Sequence, residues 1–330
     1  MKVFVTGGTG YIGERLVLAL LKRGDTVHLL CRSRSRSRLM DQPTLRFYTG
    51  DILNLSSIAA GMEGCEAVTH LAGYAKNWSE DNSIFYEVNV QGTRNVFEAA
   101  LRLRVKKVLC VSSVVVFGPS NSHPLDEHTE RSTEFFTEYE RTKYLADELG
   151  KEFLAGGLPL VTVYPTRVYG PGKDTEGNSF TRMLQFYLNG KFPFLLNGGK
   201  ETANYVYVDD LVNGILLALK KGRAGGRYIL GGENVSLEKI FETADRITHR
   251  KHFRLSLPPF VARLVSRISE INAKLLGIYP AITPGWVETF LQDWVASSAV
   301  AEKELGYHIT PLHSGLERTI EWLKQQREQR

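Results

Sequence analysis

Val3-Phe4-Val5 is a short β-type run that breaks at once into Thr6-Gly7-Gly8-Thr9-Gly10-Tyr11-Ile12-Gly13, with glycines at G-x-x-G-x-x-G spacing. It leads straight into the apolar-periodic Leu16, Val17, Leu20 and Leu21. This order reads as a strand, a tight turn and a helix N-terminus. Turn glycines let backbone approach a pyrophosphate closely, and the free N–H groups and positive dipole of the helix end stabilise the anion. Gly7, Thr9, Gly10, Tyr11, Ile12 and Gly13 are therefore the first candidate cofactor-binding residues.

The first half of the chain alternates strand and helix as such a start requires. Strand-like runs occupy 2–6, Thr26 to Cys31, Leu45 to Tyr48, Ala67 to Leu71, Lys107 to Ser112 and Leu160 to Tyr164. Helical patterns fill 13–23, 55–61, 83–103 and 138–155. Such alternation implies right-handed βαβ units and a parallel sheet covered on both faces, with ligands at the carboxyl ends of the strands. Asn178 to Asn189, Ser236 to Thr248 and Pro259 to Leu276 read as helices outside the sheet, whereas Tyr205 to Lys220 and Tyr228 to Leu230 read as a return to it. The expected fold is α/β: a doubly wound parallel sheet of Rossmann type with a smaller, mostly helical C-terminal substrate domain. Residues 1–172, with 204–232 returning, would form the first domain, and 173–203 with 233–330 the second.

The 330 residues can bury a large core, and the net charge of +5 is mild. Arg32-Ser33-Arg34-Ser35-Arg36-Ser37-Arg38 concentrates positive charge, but no aromatic platform accompanies it, so no nucleic-acid partner is expected. Cys31, Cys65 and Cys110 are scattered and suggest neither a disulfide framework nor a metal site. With no signal peptide and no apolar run long enough to span a bilayer, a reduced, cytoplasmic, soluble protein is expected.

In a dinucleotide fold the end of the second strand discriminates between cofactors: a carboxylate there binds the ribose 2′-hydroxyl, an Arg accommodates a 2′-phosphate. Here Val27-His28-Leu29-Leu30 ends in Cys31-Arg32-Ser33 without an acid. Arg32 and Ser33, helped by Arg36, favour NADP(H) over NAD(H). Asp51, followed by Ile52, stands where a carboxylate can accept from an adenine amino group. Leu71, Ala72 and Gly73 end the fourth strand, the last two small enough to let backbone pass beside the cofactor.

Tyr139 and Lys143 are four apart, hence on one helix face. A phenol beside an ammonium makes a general acid/base, because the positive charge stabilises the phenolate. Ser112-Ser113 ends the buried run Val108-Leu109-Cys110-Val111, where a hydroxyl can bind a substrate oxygen. With these residues the chain resembles the extended short-chain dehydrogenase/reductases of the epimerase/dehydratase/reductase superfamily. The matching pieces include Gly50-Asp51, His70-Leu71-Ala72, Asn89-Val90-Gln91-Gly92-Thr93, Val116-Phe117-Gly118, Tyr164 to Gly172 and Val206 to Asp210. The resemblance implies Tyr139 as acid/base, Lys143 as its partner and a nicotinamide-ribose ligand, and Ser113 as the substrate-oxygen ligand. It puts Asn89 near the active-site helix, as a catalytic part or a helix-fixing one. It also has the loop from Pro165 to Val168 presenting backbone to the nicotinamide carboxamide.

Departures narrow the branch. Sugar-nucleotide dehydratases carry Asp-Glu where Val114 and Val115 stand here. Nucleotide-sugar epimerases commonly carry a diphosphate-gripping Arg at the position of Ala203, and Tyr207 replaces a familiar His. Arg227 to Asn234 and the late Ser297-Ser298 resemble the dihydroflavonol-reductase-like and hydroxysteroid-dehydrogenase-like branch, and hopanoid-associated proteins named as sugar epimerases. That branch implies NADP(H)-dependent interconversion of a ketone and a secondary alcohol on an apolar small-molecule substrate, with a sugar epimerase as the alternative. It also implies a homodimer, formed through helices 83–103 and 138–155. Phe260, Val261, Leu264, Val265, Ile268, Ile271 and Leu275 form one apolar stripe. It is expected to pack on the domain and line the cleft, in preference to meeting a membrane surface.

Overall fold

The structure is a computed structural model that describes residues 1–34, 39 and 42–328. The strands are β1 (Lys2–Thr6), β2 (Thr26–Cys31), β3 (Leu45–Thr49), β4 (Ala67–His70), β5 (Lys107–Val111), β6 (Leu160–Pro165), β7 (Arg167–Tyr169), β8 (Phe194–Leu196), β9 (Thr202–Tyr207), β10 (Arg227–Leu230), β11 (Glu233–Ser236) and β12 (Leu255–Leu257). The helices are α1 (Tyr11–Lys22), α2 (Leu55–Met62), α3 (Ser83–Tyr86), α4 (Gly92–Arg102), α5 (Glu138–Ala155), α6 (Ser179–Leu188), α7 (Val208–Lys221), α8 (Leu237–Thr248), α9 (Pro259–Leu276), α10 (Pro284–Phe290), α11 (Ala299–Leu305) and α12 (Leu312–Glu328).

A seven-stranded parallel sheet runs β10-β6-β5-β4-β1-β2-β3. Strand order reverses at β1, which pairs β2 on one side and β4 on the other, and this opens a crevice at their carboxyl ends. Alternation within β1 explains the layers: Val3 and Val5 join one core with α1 and α7, while Phe4 joins the opposite core with α2 and α4. Both faces are covered, so the strand reads as continuously apolar.

Three expectations change. The return to the sheet is made by β10 and by α7, which packs on the same core as α1; β9 instead lies between β7 and β11 in a separate three-stranded sheet. That placement follows from pairing, with Arg167 opposite Tyr205 and Tyr169 opposite Tyr207. The helix expected over 83–103 is interrupted by a π-helical turn, Glu87–Gln91, which contains Asn89. Finally, α9 inverts the expected burial. Its small residues Ala262, Ser266 and Ala273 face inward, while Phe260, Leu264 and Leu275 are 72, 59 and 76% exposed.

Candidate active site

The glycine turn sits at the crevice, and its glycines answer to contacts within the chain. Gly7 has φ +73, and a Cβ there would lie 2.5 Å from the Ala72 backbone nitrogen. A Cβ on Gly13 would lie 2.2 Å from the Gly7 carbonyl oxygen. Gly10 caps α1 without a side-chain hydrogen bond, so no cap side chain closes this helix N-terminus against a bound anion. Lys173 adds a cation here: its Nζ donates to the Thr9 carbonyl at 3.1 Å and pairs with Glu14 at 2.7 Å. A dinucleotide pyrophosphate fits this cradle. Tyr11 and Ile12 offer it backbone only. The Tyr11 hydroxyl donates to the Gly170 carbonyl at 3.0 Å, with its acidity suppressed by burial, and Ile12 packs on the core.

Arg32 is exposed directly after β2, and Ser33 is half-buried beside it. Arg36 lies outside the described residues. Asp51 follows β3 and accepts from the Leu53 amide at 3.0 Å, which fixes the turn into α2. Ile52 is buried and would collide with any side chain at Gly92, so its side chain belongs to the core. Leu71, Ala72 and Gly73 run along the glycine turn, where the Ala72 amide donates to Thr6 Oγ1 at 3.3 Å.

Two of the proposed catalytic residues, Ser113 and Lys143, lie at the carboxyl end of β5. Ser113 caps a 3-10 turn, Val114–Phe117, and its Oγ accepts from the Val115 amide at 3.4 Å; Ser112 is buried. Lys143 reaches the end of β5, where its Nζ donates to the Val111 carbonyl at 3.0 Å. Tyr139 is half-buried one turn earlier on α5. His70 is enclosed nearby. Desolvation first, then the Lys143 charge, depress its pKa to about 3, so it stays neutral while tying Thr6 to Thr93 at 2.6 and 3.0 Å.

Asn89 is hydrogen-bonded to α5. Its Nδ2 donates to Thr142 Oγ1 at 3.0 Å and to the Tyr74 carbonyl at 3.2 Å, and its Oδ1 accepts from the Tyr74 amide at 2.7 Å. Both ends of the amide are engaged, and its bonds link α5 to the segment after β4. A second support is the Arg131–Glu140 ion pair at 2.7 Å, with side chains only 3 and 2% exposed. Arg131 also donates to the Val115 carbonyl at 2.6 Å, and Glu140 accepts from Thr289 at 3.1 Å. The pair thus ties the turn after Ser113 to α5 and α10.

Pro165 ends β6 and Val168 lies within β7, with Thr166 alone separating the two strands. The Thr166 hydroxyl is buried with no partner among the described residues. Arg167 lines an apolar cavity of about 240 Å³ with Phe192, Tyr205, Trp286 and Phe290. Its guanidinium lies 4.2 Å from the Phe290 ring centroid and its Nη1 donates to the Tyr205 hydroxyl at 3.2 Å, while Nη2 is buried with no partner among the described residues. The expected loop named its neighbours for their backbone. The lone charged residue within that stretch was the available signal.

A family model described as the NAD dependent epimerase/dehydratase family matches residues 3–231. The chain is 28% identical to a Synechocystis protein provisionally named dihydroflavonol 4-reductase, over 97% of this chain and 94% of that one. It is likewise 28% identical to sterol demethylase protein B of Methylococcus capsulatus, over 98% of this chain and 99% of that one. The crystal structure of gox2253 superposes with a TM-score of 0.81 at 29% identity, covering 98% of both chains. A matching family model over most of its length, joined to a parallel sheet with a glycine turn at its switch point, makes the chain a nicotinamide-dinucleotide enzyme of the NAD dependent epimerase/dehydratase family.

Proposed function

We propose that the chain is an NADP(H)-dependent oxidoreductase that interconverts a ketone and a secondary alcohol on an apolar small molecule. The observation that carries this reading is the aromatic cavity at Arg167 and Phe290, next to the corner that follows β6. Helix α10, which supplies Phe290, is joined to the Tyr139 helix through Thr289 and Glu140. The two relatives' names, a dihydroflavonol reductase and a sterol demethylase protein, agree with an apolar ring substrate.

The bound dinucleotide supplies the hydride. Ser113 Oγ holds the substrate oxygen, and the Tyr139 hydroxyl gives or takes its proton. Lys143 stabilises the charge left on the phenol, and Asn89 with Thr142 fixes the helix that carries both groups. Arg32, exposed where an acid would select NAD, favours the 2′-phosphate. A nucleotide-sugar substrate is disfavoured: Ala203 is buried in β9 opposite Val235, and Val114 is buried where a dehydratase places an acid.

Purified protein with NADPH and a panel of cyclic ketones tests the reading. The expected result is stoichiometric NADPH oxidation, reduced about 10²- to 10⁴-fold in Tyr139→Phe with NADPH binding retained. Isomerised product without net cofactor turnover would establish the epimerase instead.

A further inference from the structure

We propose that α9 is a docking face for the surface of an anionic lipid bilayer. The helix turns its bulk away from the protein: Ala262, Ser266 and Ala273 are its buried contacts. At about 100° per residue, Phe260, Leu264, Ile268, Ile271 and Leu275 fall on one face, and all are at least half exposed. Arg263, Arg267 and Lys274 form a row along one edge of that face. An apolar face bordered by cations is the construction of a helix that lies in a membrane interface, with long basic side chains reaching back to the headgroups.

The patch continues beyond the helix. Leu196 of β8 and Leu257 of β12 pack with Ala262 beneath it, and the adjoining Phe194, Phe253 and Leu255 are exposed. From His249 to Tyr279 the cations are Arg250, Lys251, Arg254, Arg263, Arg267 and Lys274, against Glu270 as the single acid. Three of these cations are partly neutralised: Arg254 pairs with Asp245 of α8 at 3.8 Å, Arg263 with Glu288 of α10 at 2.7 Å and Lys274 with Glu270 at 3.3 Å. The remaining excess is complementary to anionic headgroups. A second copy of the chain would bring the same cations against themselves, which argues for lipid over self-association. The charges keep α9 on the surface, and no helix among the described residues is long and apolar enough to cross a membrane. Phe194 and Ala262 also line the apolar cavity, so docking would set that cavity against the lipid boundary. The docking itself does not depend on the redox reading.

Vesicle co-sedimentation tests it, using phosphatidylcholine alone and phosphatidylcholine mixed with phosphatidylglycerol. The full chain is expected to bind the mixed vesicles, to bind the neutral ones more weakly, and to lose the difference at high salt. Ile268→Glu and Leu275→Glu change exposed positions, so the melting temperature should hold while binding falls at least about tenfold. Arg267→Glu should remove the preference for the anionic vesicles. Absence of binding to the mixed vesicles, or binding by Ile268→Glu and Leu275→Glu equal to that of the parent, would overturn the proposal. So would a dimer that Ile268→Glu dissociates without any vesicle binding by the parent.

Discussion

Asn89 donates a hydrogen bond to Thr142 at 3.0 Å, joining a π-helical turn to the turn of α5 that runs from Tyr139 to Lys143. The same amide clasps Tyr74, in the segment that follows β4. One side chain therefore joins α5 to the segment after β4.

Replacing Asn89 by Ala should lower kcat about 10- to 100-fold, with the KM for cofactor little changed, because it leaves buried partners unsatisfied at about 1–3 kcal/mol. Thr142→Ala should produce a similar loss, and the double variant should be no worse than either. Steady-state kinetics of the three variants check this, and additive losses would show that the two residues act separately.

Arg32→Ala should weaken NADPH binding far more than NADH binding, since a 2′-phosphate loses its planar guanidinium partner. A charge-assisted hydrogen bond of about 1.5–3 kcal/mol corresponds to roughly 10- to 100-fold. Fluorescence titration with both dinucleotides reads the difference. Equal losses would mean that Arg32 does not contact the 2′-phosphate.

Arg167 has a buried Nη2 with no acceptor among the described residues, in a mostly apolar cavity whose other charged lining residue is Glu201. A substrate with a carboxylate or another strong acceptor beyond its ketone should use it. Arg167→Met should raise the KM for a ketone bearing a carboxylate about 10- to 100-fold and leave that for its neutral ester near the parent value. The comparison of the two substrates separates recognition from a general loss of packing.

Glu127 is buried, and burial raises its carboxyl pKa despite the Ile229 amide that donates to it at 2.7 Å. The folded protein therefore holds that proton more tightly than the unfolded chain. Its contribution is complete below the unfolded value and is lost as pH rises through the raised one. Glu127→Gln keeps an acceptor for Ile229 and removes the titration. Relative to the parent, the variant should gain stability as pH rises from about 4 to 7, as urea unfolding at each pH would show. An unchanged difference would place the pH dependence elsewhere.

The parts of the fold legible in the sequence were those whose cause is local. A short apolar β-type run marks β1, the glycines mark its turn, and the four-residue spacing of Tyr139 and Lys143 places them on one helix face. The Arg131–Glu140 pair was not legible, because neither residue's neighbours announce a partner across a loop. A periodic stripe in α9 showed that one face differs from the others, but periodicity carries no sign. Only the small residues turned inward reveal that the large ones face out. Likewise, Tyr205 to Lys220 reads as a return to the main sheet, whereas the strand Thr202–Tyr207 is assigned to a separate sheet by its register against Arg167–Tyr169.

The seam between α1 and the segment after β7 limits how this scaffold can be rebuilt. Tyr11 holds Gly170, Arg15 Nε donates to the Pro171 carbonyl at 3.1 Å, and Lys173 returns to Thr9 and Glu14. Exchanging residues 173–203 with those of a relative would therefore disturb the anion cradle as well as the substrate side. A working chimera has to carry Tyr11, Arg15 and Lys173 as one inherited set, so specificity and cofactor affinity in this chain are not separable modules.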